Sequence, residues 1–308
     1  MIGIIDIAYY LPERRVSNFT RAGEFALTDS FINDKLGVKS IALSGEGQET
    51  SDLCVAAAKN LFSRGTVNPA DVDCVVVVTQ NPDGHGLPHT SAIVHAKLGL
   101  PPRCLAFDIG LGCSGFVAAL SVVTAAMQSQ RLRCGLLFTA DPYSKIIDRS
   151  DRNTALLFGD GASVTLLGED PVWEAETFDF VTTGDKRDAL IVRDNGLLHM
   201  NGRAVFEFCA TAVPESIRRT AQSNGITLDD IDRFVLHHGS KFIVDTIAAR
   251  LGINGRAAFD ATDFGNTVSS SVPVAFARNV CADDNTVLIS GFGVGLSIAS
   301  AILRRAGH

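Results

Sequence analysis

The chain has no C-x-x-C pair, no excess of basic residues and no long apolar run. Each absence excludes something. Its seven cysteines, at 54, 74, 104, 113, 134, 209 and 281, have no paired spacing, so zinc and dithiol redox motifs are excluded and no metal is expected. A net charge of −7 with no basic stripe argues against a nucleic-acid binder. No apolar run approaches the roughly 20 residues that a membrane-crossing helix needs. The opening MIGIIDIAYYLPERR has no basic n-region and carries a proline at position 12, unlike a signal peptide. No membrane partner is therefore expected, and a cytoplasmic protein with reduced thiols is the default. What is present is globular: 46% hydrophobic and 20% charged residues over 308 positions, enough for a substantial core.

One stretch stands out, FDIGLGCSGFVAAL over Phe107–Leu120. It passes from the apolar end of a strand through a run with three glycines that holds Cys113, at the mouth of an apolar helix predicted over 116–127. Backbone N–H groups left unpaired at a helix start favour a thiolate and lower its pKa, which suits a nucleophile. The other reading of Cys113 is a small buried residue ahead of a core helix.

The remaining segments read as alternating strands and helices. Residues 3–9 and 134–141 read as strands, and the continuous apolar run VDCVVVV (72–78) reads as a strand covered on both faces. TDSFINDKLGVKSIAL (28–43) predicts a short helix with a turn at Gly37. Thr50 or Ser51 is expected to cap a helix running to about Ser63, with Leu53, Ala57 and Leu61 on one face. FGDGASVTLL (158–167) reads as a strand after a tight glycine turn.

The second half repeats this order. NPADVDCVVVVTQN at 68 aligns with TLDDIDRFVLHHGS at 227, and FD at 107–108 is answered by FD at 259–260. Each alignment is flanked by matching helices and followed by a matching strand. The pattern implies an internal duplication, with halves over 1–170 and 171–308. It sets His237 at the position of Val78, and Asn266 in the turn answering that of Cys113. Related halves packed about a pseudo-two-fold would bring these loop ends together at strand C-termini, where open α/β sheets build their sites. Cys113 could then serve as nucleophile, His237 or His238 as the imidazole, and Asn266 as a donor. The adjacent histidines also read as solvated loop residues, Asn266 as a turn residue, and ISGFGVGLS (289–297) as a hairpin or a backbone presenting N–H groups. Strand alternation places His237 and His238 on opposite faces, so one of them belongs to a site.

GCSGF around Cys113, FGDGA (158–162), NGRAVFEF (201–208), the strand-ending His237, FGNTVSSSVP (264–273) and GFGVGLS (291–297) occur in one order across the chain. Together they resemble the β-ketoacyl-acyl-carrier-protein synthase III family of the thiolase-like superfamily. The resemblance implies an α/β thiolase-like fold, duplicated halves in a layered α-β-α-β-α arrangement. It implies an acyl group loaded from acyl-CoA onto Cys113. Malonyl-acyl-carrier protein then undergoes a decarboxylative Claisen condensation to give 3-oxoacyl-acyl-carrier protein. His237 and Asn266 would stabilise the enolate, and the N–H groups of Cys113 and Val294 would form the oxyanion hole. No cofactor is implied beyond the two substrates. Phe31 and Lys35 fall where the family holds the adenine end of CoA, and Arg152 where another arginine contacts CoA. Gly202 and Ser240 fall along the substrate channel. Leu87 falls where a partner subunit closes the acyl pocket, which implies a homodimer.

There are departures from the pattern. The usual His-Gln-Ala-Asn is His237-His238-Gly239-Ser240 here, so Ser240 replaces an asparagine that holds the pantetheine arm. Phe242 replaces a basic residue that meets the carrier protein, and Phe31 and Lys35 replace a tryptophan and an arginine. Leu87 replaces a phenylalanine, which predicts room for an acyl chain longer than acetyl. Two other readings accompany the condensing enzyme. One is an acyltransferase of specialised metabolism using Cys113 without decarboxylation, and the other is a non-catalytic partner subunit.

Overall fold

A computed structural model describes residues 1–307. The chain forms strands β1 (Gly3–Tyr10), β2 (Arg15–Ser17), β3 (Ser40–Ala42), β4 (Cys74–Val78), β5 (Leu105–Ile109), β6 (Cys134–Ala140), β7 (Ala162–Gly168), β8 (Trp173–Thr182), β9 (Leu190–Val192), β10 (Leu198–Met200), β11 (Arg233–Leu236), β12 (Thr286–Gly293) and β13 (Ser297–Arg305). Its helices are α1 (Asn18–Arg21), α2 (Thr50–Phe62), α3 (Thr90–Leu98), α4 (Gly115–Gln130), α5 (Gly202–Ser223), α6 (Lys241–Leu251) and α7 (Ser271–Asn279).

The large sheet runs β11-β12-β13-β8-β1-β7-β6-β4-β5, and its two parts meet where β1 pairs with β8 at Ile4 and Trp173. In the first part β4 lies parallel to β6, and β7 is antiparallel to both β6 and β1. In the second, β11 lies parallel to β12, and β13 is antiparallel to both β12 and β8. The directions repeat as the duplicated sequence predicts. One element differs. Phe107–Asp108 lies in β5, whereas Phe259–Asp260 lies outside the strands. The fifth strand of the second part is reduced to a bridge from Phe234 to Ala257.

Five layers result. α2 and α3 cover one part of the sheet, α5 and α6 cover the other, and α4 and α7 lie between the two. That middle position explains the composition of α4. Phe116, Val117, Leu120, Val123 and Met127 are buried, packed on Val76 and Leu137 from one side and on Val287 and Ile289 from the other. Burying a side chain such as Leu120 stabilises by about 2 kcal/mol. At β4 every residue is buried, as an apolar run covered on both faces should be. The start of α2 corrects an expectation: Glu49 is the N-cap, in a reciprocal capping box with Asp52, rather than Thr50 or Ser51. The segment Phe31–Leu36 makes a short π-type turn that ends at Gly37 in the left-handed region. No helix among the described residues is long and apolar enough to cross a membrane.

Candidate active site

Cys113 sits just ahead of the α4 N-cap, Ser114, and His237 just beyond β11. Asn266 lies in the turn before α7, held by two interlocking glycine turns. Its N–H donates to the Leu157 carbonyl at 2.9 Å, and its own carbonyl accepts from Gly159 N–H at 3.0 Å. A Cβ at Gly159 would overlap the Phe264 carbonyl oxygen, and Gly265 has φ +84° with the Leu157 carbonyl 2.9 Å from any added Cβ. The FGDGA and FGNT motifs thus exist as a pair, each leaving space for the backbone of the other.

The three side chains line one cavity of about 840 Å³. They are buried, while Phe31, Lys35, Arg152, Gly202 and Ser240 line its more exposed part. Val294 contributes from behind: its N–H faces the Cys113 sulfur, as does the N–H of Cys113 itself. Leu87 is not brought in. It is 87% exposed on the 83–88 loop and lines no part of the cavity within its own chain.

Asn266 Nδ2 lies 3.4 Å from His237 Nε2. Asn266 Oδ1 accepts the Val268 N–H at 2.9 Å, which fixes the amide so that its NH₂ faces the histidine. Val268 has φ +54°, a conformation a β-branched residue adopts only under constraint. His237 is anchored by its N–H to the Ser290 carbonyl at 2.8 Å, and its ring meets Phe292 edge-on at 5.5 Å. His238 points the opposite way. Its ring packs on Phe259 at 5.3 Å, neither ring nitrogen has a close hydrogen-bond partner among the described residues, and its N–H donates to Ser271 Oγ at 2.8 Å.

Burial holds His237 down to about 3, with the neighbouring His238 working in the same direction and the Val268 backbone opposing. Its imidazole is therefore neutral near pH 7. For Cys113 the sequence-based expectation is overturned. Burial pushes the thiol up to about 12, outweighing the Val294 and Cys113 N–H groups that favour the thiolate.

The exposed end of the cavity carries an arrangement not evident in the sequence. Phe206 and Phe242 stack at 5.1 Å, and the Lys35 ammonium sits 3.8 Å above the Phe242 ring. Arg152 lies over Phe31 at 5.6 Å. Ser240 N-caps α6, its hydroxyl accepting the Ile243 N–H at 3.3 Å. The only sequence signal for the aromatic pair is Phe242 standing where a basic residue was expected.

A cysteine, a neutral histidine and an asparagine in one cavity of a thiolase-like fold define an acyl-transferring condensing enzyme. The 3-oxoacyl-[acyl-carrier-protein] synthase III model matches residues 107–189, and its C-terminal model matches 221–305. The β-ketoacyl-[acyl-carrier-protein] synthase III of Streptococcus mutans is 34% identical, over 98% of each chain. The Thermus thermophilus synthase III structure superposes with a TM-score of 0.91 at 31% identity, over 99% of this chain and 100% of that one. A priming β-ketosynthase of the R1128 polyketide pathway has a TM-score of 0.89 at 29% identity, over 99% and 96%. The chain belongs to the β-ketoacyl-acyl-carrier-protein synthase III family.

Proposed function

We propose that the enzyme loads an acyl group from acyl-CoA onto Cys113 and condenses it with malonyl-acyl-carrier protein to give 3-oxoacyl-acyl-carrier protein. The Cys113 sulfur attacks the thioester carbonyl, the N–H groups of Cys113 and Val294 hold the oxyanion, and CoA leaves as its thiol with the proton of Cys113. Malonyl thioester then loses carbon dioxide, and the electrons of the broken C–C bond form an enolate. His237 Nε2 and Asn266 Nδ2 donate to its oxygen. A neutral histidine suits this role, because it stabilises the oxygen without being a strong enough acid to quench the carbanion. The carbanion attacks the acyl carbonyl, and Cys113 leaves as its thiolate, which takes up a proton from water.

The observation that carries this reading is the meeting of Cys113, His237 and Asn266 in one cavity. Phe31, Lys35, Arg152, Gly202 and Ser240 line the path for the CoA or pantetheine arm. Its test is mass spectrometry after mixing with acyl-CoA, followed by malonyl-acyl-carrier protein. An adduct on Cys113 and then carbon dioxide release are expected. No adduct would favour a non-catalytic subunit. An adduct that malonyl-acyl-carrier protein cannot discharge would favour acyl transfer to another nucleophile. That second reading draws support from Ser240, whose hydroxyl is occupied in capping α6.

A cytoplasmic homodimer belongs to the same proposal. β5 is an edge strand, and Leu87 and Val122 are exposed apolar side chains on the same part of the chain. Leu87 would reach the acyl pocket of the partner, where its small size accommodates chains longer than acetyl. Equal or better use of acetyl-CoA than of medium-chain acyl-CoAs would refute that last point.

A further inference from the structure

Asp141, just after β6, is buried, and no step above uses it. Its Oδ1 accepts the Gln80 N–H at 2.6 Å and faces the Thr79 hydroxyl at 3.4 Å. Its Oδ2 accepts the Ser269 N–H at 3.4 Å. The Ser269 hydroxyl, buried and without another partner, faces the same carboxylate. No cation is among these partners.

Both gripped segments lead to the site. The Gln80 amide oxygen accepts the Tyr143 hydroxyl at 2.9 Å and fills the space where a side chain on Gly112 would stand, so it braces the residue before Cys113. Ser269 follows Val268, whose N–H orients the Asn266 amide. The carboxylate also raises the pKa of Cys113 and Tyr143, so its charge does not assist thiolate formation. Its contribution is geometric.

We infer that Asp141 is a positioning residue for condensation, a clamp between the 79–81 segment that braces the Cys113 loop and the Asn266 turn, which keeps the acyl group facing the enolate donors. The inference rests on the condensing reading. Burial lifts Asp141 to about 6, so falling pH protonates it and removes acceptor capacity from the clamp. The titratable groups that feel its charge, Cys54, Cys113 and Tyr143, all stay neutral there.

The test is Asp141→Asn, compared with wild type using whichever of acetyl-CoA and octanoyl-CoA loads the wild type. Cys113 acylation, read by intact mass, should fall by no more than about tenfold, since it needs only the Cys113 end of the clamp, whereas condensation needs both ends aligned. Condensation with malonyl-acyl-carrier protein should fall about 100-fold, the scale of an ångström-level misplacement. The wild-type condensation rate should decline below about pH 6, and the variant should lack that limb. Equal losses in both half-reactions, an undiminished condensation rate or a retained limb would each overturn the clamp. Hydrogen exchange over 79–81 and 267–270 needs no substrate. It should quicken about tenfold in the variant, the value of one lost hydrogen bond. Unchanged exchange would overturn the clamp even if the wild type proved not to decarboxylate malonyl thioesters, an outcome that would count separately against the proposed function.

Discussion

Replacing His238 with glutamine should make the protein less sensitive to acid. In the native chain burial lowers the His238 pKa from 6.5 to about 4, more than the nearby Asp260 and the Ala258 backbone raise it. Below pH 6.5 the unfolded chain takes up a proton there that the native chain refuses. The folded-state pKa is depressed, so the stability is fully present above 6.5 and is lost as pH falls towards 4. At 1.36 kcal/mol for each pH unit, the loss at pH 4.5 is about 3 kcal/mol. His237 adds a loss of the same sign, because its pKa is lowered to about 3. Asp141, raised to about 6, works the other way and gains stability as pH falls from 6 to 3.8. The Asp141 gain is common to wild type and variant, and removing His238 also relieves His237, which shifts the variant in the same direction. The assay is urea unfolding at pH 7.0 and 4.5, followed by fluorescence of Trp173, the single tryptophan, which is buried beside Phe276. Any pH-independent cost of the substitution cancels, because the two pH dependences are compared. The variant should lose about 3 kcal/mol less than wild type between the two pH values. Identical losses would refute the reasoning and mean that His238 finds a proton acceptor in the fold.

Gly293→Ala would place a Cβ 2.7 Å from the Cys113 sulfur, so acylation should fall about 100-fold in an intact-mass assay while the fold survives. Gly159→Ala drives a methyl into the Phe264 carbonyl and should cost about 3 kcal/mol or more in denaturant unfolding; a neutral result would mean the two glycine turns can separate. His237→Ala and Asn266→Ala should each slow decarboxylation far more than acylation, by about 100-fold for loss of an oxyanion donor. Equal slowing of both half-reactions would argue against that division of roles.

Much of the site was legible because chemistry and periodicity coincided. The apolar run at 72–78 and the duplicated order predicted a sheet that repeats its directions, and strand alternation separated His237 from His238 as the structure places them. Where partners lie far apart in sequence, the signal failed. The N–H groups at the start of α4 are visible in a sequence, but the depth at which Cys113 lies is not, so the direction of its pKa was misjudged. Lys35 reads only as a contact for the CoA end until Phe242, some 200 residues on, is found beneath it. Asp141 looks like any acid after a strand. Its partners at 79–80 and 269 belong to two other loops.

The position of α4 between the two parts of the sheet also bears on how the enzyme forms. One face of the helix packs on strands from before residue 170 and the other on strands from after it, so the core around α4 is closed by neither group of strands alone. A nascent chain that has made only its first strands must keep the other face of α4 exposed until β12 and β13 emerge, some 150 residues later. Such long-range closure is slow and prone to association. Recovery of Cys113 acylation during refolding should therefore report the last step of assembly, lagging behind the return of helical signal.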